Sequence, residues 1–114
     1  MRLSKNDLKS IYSVKELIDK NYKSHIIIPD LATEAALSTT RLKEGFKQVF
    51  AVTIYEYLIQ VRMGKAKILL EETALFIKRI AFMVGYKNST SFINAFKKMF
   101  DITPGEFRRR ERRA

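Results

Sequence analysis

Cysteine is absent from this 114-residue chain, which excludes both a disulfide framework and a thiolate metal site. Proline occurs twice and glycine four times, and β-branched alternation is scarce. Leu, Ile, Lys, Glu and Ala instead recur at helical spacing, so the expected class is all-α. Histidine occurs once, at His25. With no second histidine or cysteine to share an ion, His25 is expected in a solvated loop. No apolar run approaches the roughly 18 residues needed to cross a bilayer, and Met1 to Asp7 lacks the apolar core of a signal peptide. A soluble, cytoplasmic chain with no membrane partner is the expectation. Catalysis has little to stand on, because the sequence shows no Gly-rich phosphate loop, no paired carboxylates in an apolar setting and no nucleophile near a histidine. The chain is therefore expected not to be an enzyme and to need no cofactor.

The most informative absence is of negative charge. From Thr73 to Phe100 there is no carboxylate, while Lys78, Arg79, Lys87, Lys97 and Lys98 lie in that stretch; Arg108, Arg109, Arg110, Arg112 and Arg113 follow it. The formal net charge of +10 implies a polyanionic partner, and its concentration in the C-terminal half implies a directed basic field.

What is present is helical and repeated. Leu8, Ile11, Val14, Ile18 and Tyr22 form one stripe, predicting a scaffold helix over about 6 to 22 entered from Ser4 or Asn6. Pro29 suits the first turn of a short helix carrying Leu31, Ala32 and Ala35, and Ser38 suits the cap of the next, over about 38 to 50 with Leu42, Phe46 and Val49 inward. Ile28, Leu31 and Ala32 recur 49 positions later as Ile77, Ile80 and Ala81. From the following helix the offset is 50: Leu42, Phe46, Lys47, Phe50 and Thr53 answer to Phe92, Phe96, Lys97, Phe100 and Thr103. Thr53-x-x-Glu56 and Thr103-x-x-Glu106 are both capping boxes. The first opens a long connecting helix over 54–71 with Tyr57 or Leu58, Val61, Ile68 and Leu69 inward; the second opens a short closing helix. The plan is about seven helices: a helix-turn-helix subdomain over 6–53, the connecting helix, a second helix-turn-helix subdomain over 72–108, and a flexible basic tail over 109–114.

In each repeated pair the second helix has one apolar face to bury and one left free. At 100° per residue the free faces hold Thr40, Glu44 and Lys47 in the first pair and Thr90, Asn94 and Lys97 in the second. Short hydrogen-bonding side chains near the helix start and lysines toward its end are the inventory of a helix that enters a major groove by its N-terminal part.

At these positions the sequence resembles the DNA-binding domain of the AraC/XylS family of bacterial transcription regulators, from Leu8 to Arg108. The second unit carries most of the likeness: Ile80-Ala81-x-x-Val84-Gly85-Tyr86, Ser91-Phe92-x-x-Ala95-Phe96-Lys97-Lys98-x-Phe100, and Thr103-Pro104-x-x-Phe107-Arg108. The first matches through Leu31-Ala32, Leu37-Ser38, Leu42-x-x-x-Phe46-Lys47 and Phe50, and the connecting helix through Arg62-x-x-x-Ala66 and Leu69-Leu70.

The resemblance implies sequence-specific binding of double-stranded DNA in transcription regulation, with two recognition helices in successive major grooves. It places Thr39, Thr40, Lys43, Glu44 and Lys47 on the first recognition helix and Ser89, Thr90, Ser91, Asn94 and Lys97 on the second. The flanking Arg41, Lys87, Asn88 and Lys98 complete the candidate DNA-contacting set. RNA polymerase is a further expected partner, direct or indirect. A separate effector domain, usual in the family, is expected to be absent from this chain, which is then a fragment of a longer regulator or a short one that stands alone. A basic helical module for RNA or an anionic membrane surface is the alternative.

Single positions leave choices open. Glu44 either accepts from a cytosine amino group or pairs within its helix with Arg41 or Gln48. Asn94 either pairs with adenine or is merely solvated, and Ile93 either meets a thymine methyl or packs. Arg62 is expected to be structural. Ala36, Ala51 and Asp101 stand where glycine is common in the family, and Phe76 replaces a polar helix-start residue. Phe76 is expected in the core, with a partner surface as the other reading.

Overall fold

The computed structural model describes residues 1–113 and the side chains through Arg112; Ala114, the end of the expected tail, lies outside the described residues. Among the described residues there are seven helices and no strand: α1 (Lys5–Lys20), α2 (Ile28–Glu34), α3 (Thr39–Phe50), α4 (Ile54–Glu72), α5 (Ile77–Met83), α6 (Ser89–Phe100) and α7 (Pro104–Arg113). The chain forms two compact units, one from Met1 to Leu58 and one from Ile59 onward. No described helix is long and apolar enough to cross a membrane.

The repeat survives into the structure residue by residue. α2 and α5 begin 49 positions apart, and α3 and α6, like α4 and α7, begin 50 apart. Each turn between the paired helices closes with a Schellman pattern, in which backbone N–H groups beyond the helix end satisfy its last carbonyls. Leu37 N–H donates to Ala32 O at 2.9 Å in the first unit, and Tyr86 N–H donates to Ala81 O at 2.9 Å in the second. This closure needs a left-handed residue, supplied by Ala36 (φ 58°) and Gly85 (φ 108°). Beyond α3 and α6 Ala51 (φ 65°) and Asp101 (φ 67°) take the same conformation, so three of the four such positions carry a Cβ there.

The first unit is built around α1. Ser4 Oγ accepts from Asp7 N–H while the Asp7 carboxylate accepts from Ser4 N–H, a capping box that settles the helix start. Ile11, Val14 and Ile18 are buried against Leu42 and Phe46 of α3, with Ile26, Ala32, Ile54 and Leu58 completing the core. Leu8, read into the same stripe, is 36% exposed. α1 and α3 approach closely at Gly45, where a Cβ would lie 2.6 Å from Ile11 Cδ1. A helical glycine costs about 1 kcal/mol relative to alanine, and here it gives α3 room to lie on α1.

The second unit buries Met63, Ala66 and Leu70 of α4 with Ile80, Ala81, Val84, Phe92 and Phe96. Phe96 meets Phe92, Phe100 and Phe107 at ring-centroid distances of 6.0, 4.7 and 5.7 Å, spacings favourable for aromatic pairs. The expected inward set of α4 needs correction: Val61 and Leu69 are half-buried and Ile68 is 49% exposed. A helix whose two ends serve two cores shows no single apolar stripe to read.

Two further expectations are overturned. Phe76 is 82% exposed instead of buried; it caps α5 in an extended conformation, outside the face on which Ile80 and Ala81 enter the core. Arg109 to Arg113 do not form the expected tail, because α7 continues to Arg113.

Equivalent turn positions should respond oppositely to exchange of glycine and alanine. Gly85→Ala places a Cβ 2.9 Å from the Arg62 guanidinium at a left-handed φ, and should lower stability by at least about 1 kcal/mol. Ala36→Gly relieves left-handed strain of about 1–2 kcal/mol, offset in part by about 0.4–1 kcal/mol of unfolded-state entropy, and should raise Tm. Thermal melts of both variants check this; a lower Tm for Ala36→Gly would contradict the strain.

Candidate nucleic-acid interface

Each second helix is held by its inner face, and this determines what points outward. In α3 Leu42, Gly45 and Phe46 are buried, leaving Thr39, Thr40, Lys43, Glu44 and Lys47 exposed. In α6 Phe92 and Phe96 are buried, while Thr90, Ser91, Asn94, Lys97 and Lys98 are exposed and Ser89 is half-buried. Ile93 packs against the second core. Entry into each helix is capped by a side chain: Ser38 Oγ accepts from Arg41 N–H at 3.1 Å and Asn88 Oδ1 accepts from Ser91 N–H at 2.8 Å. The Asn88 oxygen is thus committed to the helix start, while Lys87 beside it is exposed.

Arg41 departs from the sequence reading. Its guanidinium donates to Asp7 Oδ2 through Nη2 at 2.6 Å and Nε at 3.1 Å, and to Arg2 O at 2.7 Å. The group is occupied by the start of α1 instead of standing free for a phosphate. The Arg41 hydrogen bonds, followed by that from Ser4 N–H, hold the Asp7 carboxyl at about 2, below its ordinary 3.8. A contact spanning 34 positions left no periodic signal in the sequence.

The C-terminal arginines divide in the same way. Arg108 donates to Leu70 O, Thr73 O and Leu75 O at 3.2, 3.2 and 2.6 Å, and Arg112 donates to Thr73 O at 2.7 Å. These carbonyls lie at and just beyond the end of α4, where backbone acceptors lack helical partners. Arg109 and Arg110 are exposed. Arg62 lies over the Tyr86 ring, 5.2 Å from its centroid, which fits the expected structural role.

The charge is unequally shared. Residues 1–58 hold nine basic and seven acidic side chains, a net +2, whereas residues 59–114 hold thirteen and five, a net +8. The geometry therefore offers two small outward helix faces, one on a nearly neutral unit and one in a strongly basic field.

Comparison with known proteins identifies this arrangement. A family model described as a helix-turn-helix domain matches residues 31–110. The Msm operon regulatory protein of Streptococcus mutans is 35% identical over 99 residues, covering 87% of this chain and 36% of that protein. The chain thus spans about a third of that relative's length. Among solved structures, the C-terminal domain of AraT, a response regulator from Geobacillus stearothermophilus, superposes with a TM-score of 0.84 at 30% identity, covering 96% of this chain and 88% of that one. The DNA-binding domain of AdpA, solved in complex with a target DNA, shares the fold at a TM-score of 0.84 and 18% identity, over 90% of this chain and 93% of that one. The chain belongs to the AraC/XylS-type helix-turn-helix family.

Two stability measurements test the reassigned side chains. Arg108→Ala should cost about 1–3 kcal/mol through its lost carbonyl bonds, while Arg110→Ala should stay within about 0.5 kcal/mol of the parent; equal losses would return Arg108 to the free tail. For Asp7, a folded pKa depressed below 3.8 means that its stabilisation is present above that value and is lost as pH falls toward about 2. Asp7→Asn should therefore lower Tm at pH 7 and flatten the acid limb between those values, and an unchanged acid limb would contradict the pairing.

Proposed function

We propose that this chain binds double-stranded DNA sequence-specifically in the control of transcription, with α3 and α6 as its two readers, each set into a major groove and the two grooves successive. The outward face of α6 carries the reading: Thr90, Ser91 and Asn94 offer compact donors and acceptors near the helix start, and Lys97 and Lys98 offer cations toward its end. Base edges in the major groove require the first kind of side chain and phosphates the second. Operon regulation, the role in the name of the Msm relative, is the setting we extend to this chain. Duplex is favoured over single strands because the outward faces of α3 and α6 carry no aromatic ring on which an unpaired base could stack, Phe46, Phe92 and Phe96 being fully buried on the inner faces. RNA polymerase contact and a cytoplasmic location follow from the same reading.

The two units contribute unequally in this proposal. Unit 2, at net +8, supplies most of the salt-dependent affinity for any duplex. Unit 1, at net +2 and with Glu44 on its outward face, adds selectivity more than attraction, since a carboxylate repels phosphate unless a cytosine amino group meets it.

The test is selection of bound sites from a random duplex library, followed by titrations of the selected site. Affinity should fall about 10³-fold or more between 50 and 200 mM salt if six or more phosphates are neutralised. Asn94→Ala should cost about 1–3 kcal/mol and relax choice at one base pair, whereas Lys97→Ala should weaken every duplex and reduce the salt slope by about one. A flat salt response would remove the DNA reading, and identical uniform losses from both substitutions would overturn the assignment of the α6 face.

A further inference from the structure

The short helix α5 exposes two large aromatic rings that no core needs. Phe76, at its N-cap, is 82% exposed and Phe82 is 67% exposed, more than any other large hydrophobic side chain among the described residues. They flank a groove of about 380 Å³ whose remaining lining includes Lys78, Arg79, Tyr86 and Lys87. Its apolar surface is rimmed by three cations, with the Arg79 guanidinium 5.9 Å from the Phe82 centroid. No carboxylate occurs between Thr73 and Phe100, and none lines the groove. Burial of such a ring stabilises a fold, a gain the second unit forgoes twice on one face. Contiguous exposed apolar surface of this kind marks a contact with something else.

The charge on the rim selects the occupant. A second copy meeting this face with its own would set Lys78, Arg79 and Lys87 against the same three cations, which an isologous contact cannot relieve. A sugar-phosphate backbone would satisfy the cations and leave both rings without an apolar partner. We propose that this face docks an acidic segment of another protein, which inserts an apolar side chain between Phe76 and Phe82 while its carboxylates meet Lys78, Arg79 and Lys87. Aromatic anchors supply the buried area, and the cationic rim favours acidic over basic partners. Because Lys87 precedes the cap of α6 directly, a docked partner would sit beside the proposed DNA reader.

The experiment uses the ¹⁵N-labelled chain and a fluorescent short peptide alternating Glu with Leu and Phe, alongside an all-Glu peptide and a Lys-for-Glu counterpart. The variant is Phe76→Ser with Phe82→Gln: serine provides a helix cap and glutamine is tolerated on an exposed helix face, so the fold is retained. The Glu/Leu/Phe peptide should shift the amides of α5, Tyr86 and Lys87, and the double variant should weaken it about tenfold or more. Duplex binding should be unchanged in the variant; failure of the parent chain to bind any duplex would count against the DNA reading and not against this one. Equal binding of the all-Glu peptide, no binding at about 1 mM, or indifference to the double variant would overturn the proposal. Loss of duplex binding in the variant would do the same by assigning the rings to the DNA interface.

Discussion

Burial of aromatic rings on the inner faces of α3 and α6 governs the rest of the molecule. Phe46 in α3 and Phe92 and Phe96 in α6 are fully buried, each contributing about 1.5–3 kcal/mol. At 3.6 residues per turn, fixing these rings inward fixes Thr40, Lys43 and Lys47, or Thr90, Asn94 and Lys97, outward. The outward side chains contribute little to the cores, so they are free to carry recognition. The short partner helices α2 and α5 pack against α3 and α6, each joined to its partner by a tight turn closed by a backbone bond, Leu37 N–H to Ala32 O and Tyr86 N–H to Ala81 O.

The duplicated frame is used asymmetrically. At equivalent left-handed turns one unit has Gly85 and the other Ala36, so strain is accepted in one copy and avoided in the other. Charge is divided in the same spirit, +2 against +8. Several cations that look available are structural: Arg41 belongs to the start of α1 and Arg108 to the end of α4. The cations on and near the outward faces of α3 and α6 that remain exposed include Lys43, Lys47, Lys97 and Lys98, with Arg109 and Arg110 exposed on α7.

The helices and their caps were legible in the sequence because they depend on local physics. Ser38, Thr53 and Thr103 cap where their spacing to the apolar stripes demanded, and the 49- and 50-residue offsets carried over to the helix boundaries. Features set by tertiary packing were not legible. Nothing local marks Gly45 as the point where α3 meets α1, or Arg41 as the partner of Asp7. The inward side of α4 was misread because its apolar residues serve two cores, and Phe76 because hydrophobicity alone does not distinguish a helix cap from a core position. For the candidate site, the outward positions of α3 and α6 could be read from periodicity, whereas the commitment of Asn88 and Arg41 to other bonds could not.

Groove-resolved methylation interference on a selected duplex separates major-groove reading by α3 and α6 from contact in the minor groove, since one reagent marks guanine N7 in the major groove and adenine N3 in the minor groove. Guanine N7 methylation should block binding in two separate blocks, one lost when the α6 face is altered and the other when the α3 face is altered. Interference confined to adenine N3, or none at either position, would contradict that major-groove reading.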